Sequence, residues 1–227
     1  MRCSLDFFLN KLKSGDSFSV ARFNDGEMGC IMEEKDVISR GDQKSSSYLR
    51  IKLVEALTYR DDEYYVGLPD DKFDKAKKVA LDMLGGYENV TSSVIFHDKN
   101  WLKFLRNITD VVGGYDEIAW IGGDNHDTLS LPFHVDYNIM VNSQNGFDDY
   151  NKVKDVKFPR GTLVFLSCGP LGRVLAKELF VNNKDCTFLE IGSVFDPIVQ
   201  NKWRRYQLKR KKEALKIFDE WRQNGRY

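Results

Sequence analysis

The sequence carries no net charge, few prolines and no long hydrophobic run. Its 34 Lys and Arg residues balance 34 Asp and Glu, which excludes a uniformly basic protein that binds polyanions over its whole surface. Five prolines and 42% hydrophobic residues among 227 exclude collagen-like, low-complexity and disordered chains. No window approaches the roughly 20 apolar residues of a membrane-spanning helix, and the apolar run at residues 7–9 is too short for a signal peptide. We therefore expect a globular, cytoplasmic protein.

The sequence also lacks paired cysteines and common hydrolase motifs. No C-x-x-C spacing indicates a zinc site or a redox dithiol. Neither G-x-S-x-G nor H-E-x-x-H is present to support a hydrolase. The cysteines are far apart in the chain, at Cys3, Cys30, Cys168 and Cys186. We expect them to be reduced structural thiols.

The neutral total hides two regions of opposite charge. Residues 202–227 contain ten Lys and Arg against three Asp and Glu, whereas residues 1–201 contain 24 against 31. Four apolar residues of the basic region follow helical spacing, namely Ala214, Leu215, Phe218 and Trp221. This pattern predicts an amphipathic C-terminal helix.

The basic helix has several candidate partners. We predict that residues 1–201 form the main domain and that residues 202–227 form a helix packed on it, or on a second subunit of a homodimer. A basic amphipathic helix can instead make a peripheral contact with an anionic membrane. Nucleic acid is the least favoured partner, because the single basic segment comes with no recognised nucleic-acid-binding motif.

Short apolar segments alternate with longer segments of helical period, and no repeat or linker interrupts them. This alternation predicts a single α/β domain with a doubly wound, mostly parallel, Rossmann-like sheet. The predicted strands cover residues 18–23, 64–68, 93–96, 118–121, 138–141, 163–166 and 187–191. The predicted helices cover residues 5–12, 45–59, 72–84, 99–111 and 170–180. Because ligands of such sheets bind beyond the carboxyl ends of strands, the residues that follow each strand are the candidates for function.

An acidic turn follows the first predicted strand. Asp25 and Glu27 flank Gly26, which allows a tight backbone and the close approach of a ligand. Two carboxylates suit Mg²⁺ or Mn²⁺, which commonly complete their coordination with substrate phosphates. Arg22 is placed to add a bidentate phosphate contact. The alternative is an ordinary turn in which Glu27 belongs to the first turn of a helix.

A glycine-containing turn follows the predicted strand at residues 163–166. Gly169, Pro170 and Gly172 lead into a helix, with proline where its missing N–H costs nothing. Backbone N–H groups at such a helix start can bind phosphate. The turn matches neither the dinucleotide-binding motif nor the Walker motif, so by itself it is a weak indication of a nucleotide site.

A second acidic turn follows the last predicted strand and contains Gly192 and Asp196. Asp196 is placed to contact a ribose, a sugar or a metal ion, or to act as a general base. It precedes Pro197, so a helix cap is an equal alternative. The segment at residues 124–127, DNHD, either supplies metal ligands or is a polar loop, and the loop is favoured because the spacing matches no standard zinc pattern. His97 and His134 are isolated and are interpreted as surface or core residues.

Four segments resemble, in order, the motifs of the GT-D type glycosyltransferases, a family formerly known as a domain of unknown function. Residues 18–27, FSVARFNDGE, resemble its R-F-G-D-G-E signature, whose D-x-E part is tied to the metal and the nucleotide sugar. Residues 142–150, NSQNGFDDY, are similar to P-x-x-N-A-F-x-x-Y. Residues 163–179 are similar to L-I-x-x-L-G-P-x-A-x-x-L-A-x-x-L. Residues 189–196 with Trp203 are similar to D-x-G-H-x-D-x-E-Y-x-W.

The chain departs from these motifs at several positions. Asn24 stands where the family usually has Gly, Asn142 where it has Pro, and Gly146 where it has Ala. Ser193 stands where many members carry His, so a role for that histidine cannot be carried over. The acidic pair itself is kept.

The resemblance implies a metal-dependent glycosyltransferase. It would move a sugar from a nucleotide-diphosphate sugar, expected to be a UDP-sugar, to a glycan, a glycoconjugate or a protein-linked glycan. Asp25 and Glu27 would hold Mn²⁺ or Mg²⁺ together with the diphosphate, and Gly26 would let it approach. Arg22 would neutralise phosphate charge. The alternative is a non-catalytic module of the same fold that binds a nucleotide sugar or a glycan.

The resemblance also implies roles for the later segments. The turn at Gly169, Pro170 and Gly172 would hold the nucleotide end of the donor, and Gly192 would also contact the donor. Asn145 and Asp196 would contact the donor or the acceptor. Asp196 would be the general base if the transfer inverts the configuration of the sugar.

Overall fold

The computed structural model describes residues 3–34, 37–38 and 43–223. The strands are β1 (Ser19–Arg22), β2 (Val37–Ile38), β3 (Gln43–Lys44), β4 (Tyr64–Leu68), β5 (Val90–Ser92), β6 (Ile118–Gly123), β7 (Tyr137–Val141), β8 (Leu163–Ser167) and β9 (Thr187–Glu190). The α-helices are α1 (Leu5–Lys13), α2 (Asp25–Ile31), α3 (Ser47–Thr58), α4 (Asp74–Leu84), α5 (Trp101–Val112), α6 (Tyr150–Val153), α7 (Pro170–Asn182), α8 (Asp196–Val199), α9 (Arg205–Leu208) and α10 (Lys211–Gln223).

The main sheet has seven strands in the order β5-β4-β1-β9-β8-β6-β7. Every neighbouring pair in it is parallel, and β2 and β3 form a separate antiparallel pair. The predicted doubly wound α/β fold is therefore confirmed. In this order the carboxyl ends of β1, β9, β8 and β6 lie side by side, which brings the turns after these strands to one edge of the sheet.

Helices cover both faces of the sheet, and the hydrophobic core is divided accordingly. Successive strand residues point to opposite faces. In β1, Ala21 belongs to the cluster that includes residues of α2, α3, α4 and α7, whereas Val20 belongs to the cluster that includes residues of α1, α5 and α10. An inner strand such as β8 is therefore buried along its whole length, as its apolar sequence indicated, whereas the edge strand β7 is partly exposed.

Helix α1 begins at the cap and ends near the glycine that the sequence predicts. The Ser4 hydroxyl accepts a hydrogen bond from the Phe7 N–H at 3.3 Å, which satisfies one of the free donors at the helix start. The chain leaves the helix through Gly15, whose φ of 70° is in the region that glycine adopts without strain.

The strand predicted at residues 93–96 is wrong, because the fifth strand ends one residue earlier, at Ser92. Residues 93–97 instead form turns, with Ile95 N–H donating to Ser92 O and His97 N–H donating to Val94 O. Ile95 and Phe96 are nevertheless buried. The apolar run therefore reflected burial rather than extended backbone.

The predicted C-terminal helix is present as α10 and packs on the domain through Ala214, Ile217, Phe218 and Trp221. Leu215, which the sequence analysis assigned to the apolar stripe, is 40% exposed, and Ile217 takes its place. The stripe is therefore buried within the chain itself. No helix in the described ranges is both long and apolar enough to cross a membrane.

Candidate functional site

A large cleft lies over the carboxyl edge of the main sheet. Its volume is about 1080 Å³, enough for a nucleotide sugar. It is lined by the segments that follow β1, β8, β9, β6 and β7, and by residues between Gln200 and Lys209 that close one wall. This is the position at which a doubly wound sheet binds its ligands.

The acidic turn after β1 is the first turn of α2, so the alternative interpretation of Glu27 as a helical residue describes its local structure. Asp25 and Glu27 both line the cleft. Glu27 is only 3% exposed, and its Oε2 accepts a hydrogen bond from the Asn24 N–H at 3.1 Å. Its Oε1 lies 3.3 Å from Nε of Arg173 in α7. Glu27 thus ties the starts of two helices together, while Asp25 is the more accessible of the two carboxylates.

Beneath the cleft, Glu190 is buried between two arginines. Its Oε2 lies 2.9 Å from Nε of Arg22, and its Oε1 lies 3.0 Å from Nη1 of Arg173. Glu190 is 0% exposed and Arg22 is 2% exposed. Neither Glu190 side-chain oxygen has hydrogen-bonding geometry to a described residue, so the attraction is mainly electrostatic. We call Arg22, Glu190, Arg173 and Glu27 the buried quartet.

Arg22 is therefore in the floor and is not among the described residues that line the cleft. Its Nη1 donates to Ser93 O at 2.8 Å, whereas its Nη2 has no partner among the described residues. A Cβ atom built on Gly192, which lines the cleft, would lie 2.7 Å from this Nη2. The backbone at Gly192 therefore lies between the cleft and the guanidinium group of Arg22, which was predicted to contact phosphate.

His97 completes the floor and is held in the neutral form. Its ring stacks on Tyr206 with centroids 5.2 Å apart, and its Nε2 lies 3.0 Å from Ile191 O. Both ring nitrogens lie 3.3 Å from Nη1 of Arg22. Burial and the Arg22 charge hold the pKa of His97 well below its usual value. The neutral tautomer with its proton on Nε2 fits this environment, since it donates to Ile191 O.

We expect the free energy of unfolding to fall as the pH decreases from about 7.5 to about 5.5. Burial also lowers the pKa of His126, so near pH 6.5 the unfolded chain gains protons at His97 and His126 that the folded chain does not. Each histidine contributes a slope of at most about 1.4 kcal/mol per pH unit. Urea denaturation across this range measures the slope, and His97→Gln should reduce it. His134→Gln, at an exposed position, serves as the control and should keep the full slope; an equal slope in all three proteins would contradict the prediction.

The glycine turn after β8 also faces the cleft. Gly169 and Pro170 line it, and Gly169 has a φ of 58°, which a residue with a side chain rarely adopts. The Gly169 carbonyl accepts a hydrogen bond from Nη1 of Arg173 at 2.7 Å, which fixes the start of α7. Gly172 is instead a packing residue, because a Cβ there would lie 3.3 Å from Cγ of Glu190.

Asp196 lines the cleft and is 2% exposed. Its Oδ2 accepts a hydrogen bond from Nε of Arg204 at 2.6 Å. The short helix α8 begins at Asp196 itself, and no side chain within the described ranges caps it. The interpretation of Asp196 as a helix cap is therefore wrong, and its carboxylate is oriented by Arg204.

The remaining predicted residues differ in their positions. Gly26 lines the cleft between the two acidic residues, and Gly192, two residues after β9, lines it as well. Asn145 is not among the described residues that line it, and its Oδ1 accepts a hydrogen bond from the Lys44 N–H at 3.4 Å. The structure thus brings the three predicted turns together and leaves Asn145 outside the cleft wall.

Sequence reasoning missed several residues of the site. Arg173 and Glu190 join the turns after β8, β9 and β1, yet neither was a candidate. The signal was present: Glu190 is a charged residue in the apolar run TFLEI, and a buried charge requires a partner. The basic residues Lys202, Arg205 and Lys209 also line the cleft, although they were assigned to a separate tail.

The candidate ligands for a divalent ion in the cleft are the carboxylates of Asp25 and Glu27. Within the described ranges, no group of three or more His, Cys, Asp and Glu side chains could hold a metal by itself. Asp25 supplies one carboxylate in the cleft. Glu27 supplies a second, which already contacts the Asn24 N–H and Arg173. Mg²⁺ is commonly held by one or two carboxylates, with phosphates and water completing its coordination.

The fold is similar to that of three solved structures. All three are structures of the domain of unknown function 1792, and one of the first two is described as having a distinct glycosyltransferase fold. The first two align with TM-scores of 0.60 and 0.61 at 17% identity, covering 91% of this chain and 81% of theirs. The third, described as a new glycosyltransferase from Streptococcus sanguinis, aligns with a TM-score of 0.60 at 18% identity, covering 91% of this chain and 84% of its own. The fold expected from the sequence resemblance is thereby confirmed.

Comparisons of the sequence itself gave no relative. No protein-family model matches the chain, and no curated protein matches it significantly.

Proposed function

We propose that the protein is a glycosyltransferase that uses a nucleotide-diphosphate sugar, with a UDP-sugar as the expected donor and a glycan, glycoconjugate or protein-linked glycan as the acceptor. The observation that carries the proposal is the position of Asp25, the Gly169 turn and Asp196 around one large cleft at the carboxyl edge of the sheet. The likeness to structures described as glycosyltransferases supports it.

The chemistry of sugar transfer explains the composition of the cleft. As the bond to the donor breaks, the sugar gains positive charge and the departing nucleoside diphosphate gains negative charge. Asp25, with Glu27 beside it, would hold Mn²⁺ or Mg²⁺, and a bound ion supplies Lewis-acid stabilisation of the diphosphate. The start of α7 at Gly169 would offer backbone N–H groups to the phosphates, although Pro170 itself has none.

The acceptor side of the reaction is assigned to Asp196. Its carboxylate lines the cleft and can accept the proton of an acceptor hydroxyl in an inverting transfer. Arg204 fixes the orientation of this carboxylate through a hydrogen bond of 2.6 Å. Holding donor and acceptor in one cleft removes much of the entropic cost of bringing them together.

A thermal-shift screen of nucleotide sugars with and without Mn²⁺ tests the proposal. We expect one nucleotide diphosphate and its sugars to raise the melting temperature, with a further rise when Mn²⁺ is present. Asp25→Asn should abolish the Mn²⁺-dependent part, because it removes the accessible carboxylate. Asp82→Asn, which changes an exposed residue of α4, should behave as the wild type. No shift with any donor would contradict the proposal.

The alternative is a non-catalytic module that binds a nucleotide sugar or a glycan. It is favoured by one observation, the engagement of Glu27 by Arg173 and by the Asn24 N–H, which leaves one accessible carboxylate of the pair. Release of free sugar from the donor separates the two functions. Slow hydrolysis that Asp25→Asn abolishes indicates the transferase, whereas binding without any turnover indicates the module.

A further inference from the structure

One wall of the cleft is strongly cationic and comes from the basic C-terminal segment. Lys202, Arg205 and Lys209 line the cleft and are exposed to solvent. None of the three forms an ion pair with another residue of the part of the chain that the structure describes. By contrast, the two other arginines of the cleft face carboxylates: Arg173 lies 3.3 Å from Glu27, and Arg204 lies 2.6 Å from Asp196.

The cationic wall is held in place by buried contacts. Gln207 is 0% exposed and donates from Nε2 to the Ser193 carbonyl at 2.8 Å. Tyr206 stacks on His97 in the floor, and Arg204 binds Asp196. Since these residues alternate with Arg205 and Lys209 along the chain, the backbone that presents the cations is fixed before any ligand binds. Such preorganisation reduces the entropic cost of binding.

The floor of the cleft has no net formal charge, but it is locally positive. The buried quartet contains two guanidinium groups and two carboxylates, so its formal charges cancel. Arg22 Nη2, which is buried and has no partner among the described residues, lies beneath Gly192 and leaves a positive potential at this point. The start of α7 at Gly169 adds the positive end of a helix dipole. Floor and wall therefore both favour a multiply charged anion.

We propose that Lys202, Arg205 and Lys209 bind the diphosphate of the donor and stabilise the departing nucleotide, whether or not a divalent ion is bound. The basic segment is thus a wall of the active site rather than a surface for membrane or nucleic acid. The identity of the anion as a nucleoside diphosphate rests on the proposed function, but the anion site itself does not.

Calorimetric titration with inorganic pyrophosphate and with UDP, in the presence of EDTA, tests this site. We expect the wild type to bind both, and each of Lys202→Ala, Arg205→Ala and Lys209→Ala to weaken binding by roughly five- to twentyfold. Lys212→Ala and Lys216→Ala are matched controls, because these exposed lysines follow closely in the chain but do not line the cleft. They should change the affinity by less than about twofold, since their charges are screened by solvent and salt. Circular dichroism and melting confirm that each exposed-site variant is folded.

The outcomes separate the two proposals. A further variant combines Lys202→Ala, Arg205→Ala and Lys209→Ala. If it binds pyrophosphate as tightly as the wild type, the anion site is overturned, and an equal loss of affinity in the Lys212 and Lys216 variants would overturn it too. Pyrophosphate binding that depends on the three cations, in a protein that neither binds nor hydrolyses any nucleotide sugar, would support the anion site and overturn the glycosyltransferase. If the binding of pyrophosphate and the binding of UDP both depend on the three cations, the anion site and the proposed glycosyltransferase are both supported.

Discussion

Replacing Glu190 with glutamine should destabilise the protein by about 3–5 kcal/mol, a large part of the stability of a typical domain. Glu190 is 0% exposed and lies within 3.0 Å of nitrogen atoms of both Arg22 and Arg173. Glutamine keeps the size of the side chain but removes the negative charge. Two guanidinium groups would then remain buried with Glu27 as their nearest counter-charge, which lies beside Arg173 only. Urea denaturation measures the loss.

A surface ion pair provides the control for this prediction. Asp219 lies 3.1 Å from Arg222 on α10, and both side chains are more than half exposed. Asp219→Asn should change stability by less than about 1 kcal/mol, because solvent screens exposed pairs. In a double-mutant cycle, Arg173→Gln should cost less in the Glu190→Gln background than in the wild type. Additive effects, or a loss at Glu190 as small as that at Asp219, would show that the buried quartet does not act as a unit.

The fold was largely predictable from the sequence because its strands are buried on both faces. Segments such as LVFL at residues 163–166 are apolar throughout, which separates them from the helical periodicity of their neighbours. The helix at Asp25 was harder to recognise, since Asn-Asp-Gly is typical of turns and glycine is a weak helix former. Its capping contacts come from Glu27, which the sequence allowed to be either a helix residue or a metal ligand.

The candidate site was predictable at the level of segments but not of side-chain roles. The rule that ligands bind after strands placed Asp25, Gly169 and Asp196 at one edge, and the cleft contains all three. The same rule cannot tell whether a side chain points into the cleft or beneath it. Arg22 is the last residue of β1 and lies beneath, because Glu190 on the neighbouring strand β9 provides a buried partner.

The basic segment shows why a count of charges along the chain is insufficient. Its ten basic residues were treated as one tail, with candidate partners outside the protein. In three dimensions the segment divides at about residue 210. Its first part, with Lys202, Arg205 and Lys209, lines the cleft. Its second part forms α10, whose apolar residues other than Leu215 are buried on the domain. The contacts of Gln207 with Ser193 and of Tyr206 with His97 hold the first part against the cleft, and a count of charges cannot show such contacts.

Gly192→Ala should both destabilise the protein by about 2–4 kcal/mol and abolish binding in the cleft. Gly192 has a φ of 52°, where any side chain is strained. A Cβ there would also lie 2.7 Å from Nη2 of Arg22, so the guanidinium would have to move. Because Arg22 is held by Glu190 and by Ser93 O, that movement disturbs the floor under the proposed donor site.

Gly15→Ala isolates the backbone part of this effect. Gly15 has a comparable φ of 70°, and a Cβ there would meet nothing within 4 Å. It should cost only about 1–2 kcal/mol and leave pyrophosphate and UDP binding unchanged, because Gly15 follows α1 and is not a residue of the cleft. Urea denaturation and calorimetric titration on both variants make the comparison. If Gly192→Ala destabilises the protein no more than Gly15→Ala does, the Arg22 guanidinium adapts to the new side chain at no cost. If Gly192→Ala also binds pyrophosphate and UDP normally, the rigid floor is not required for the site.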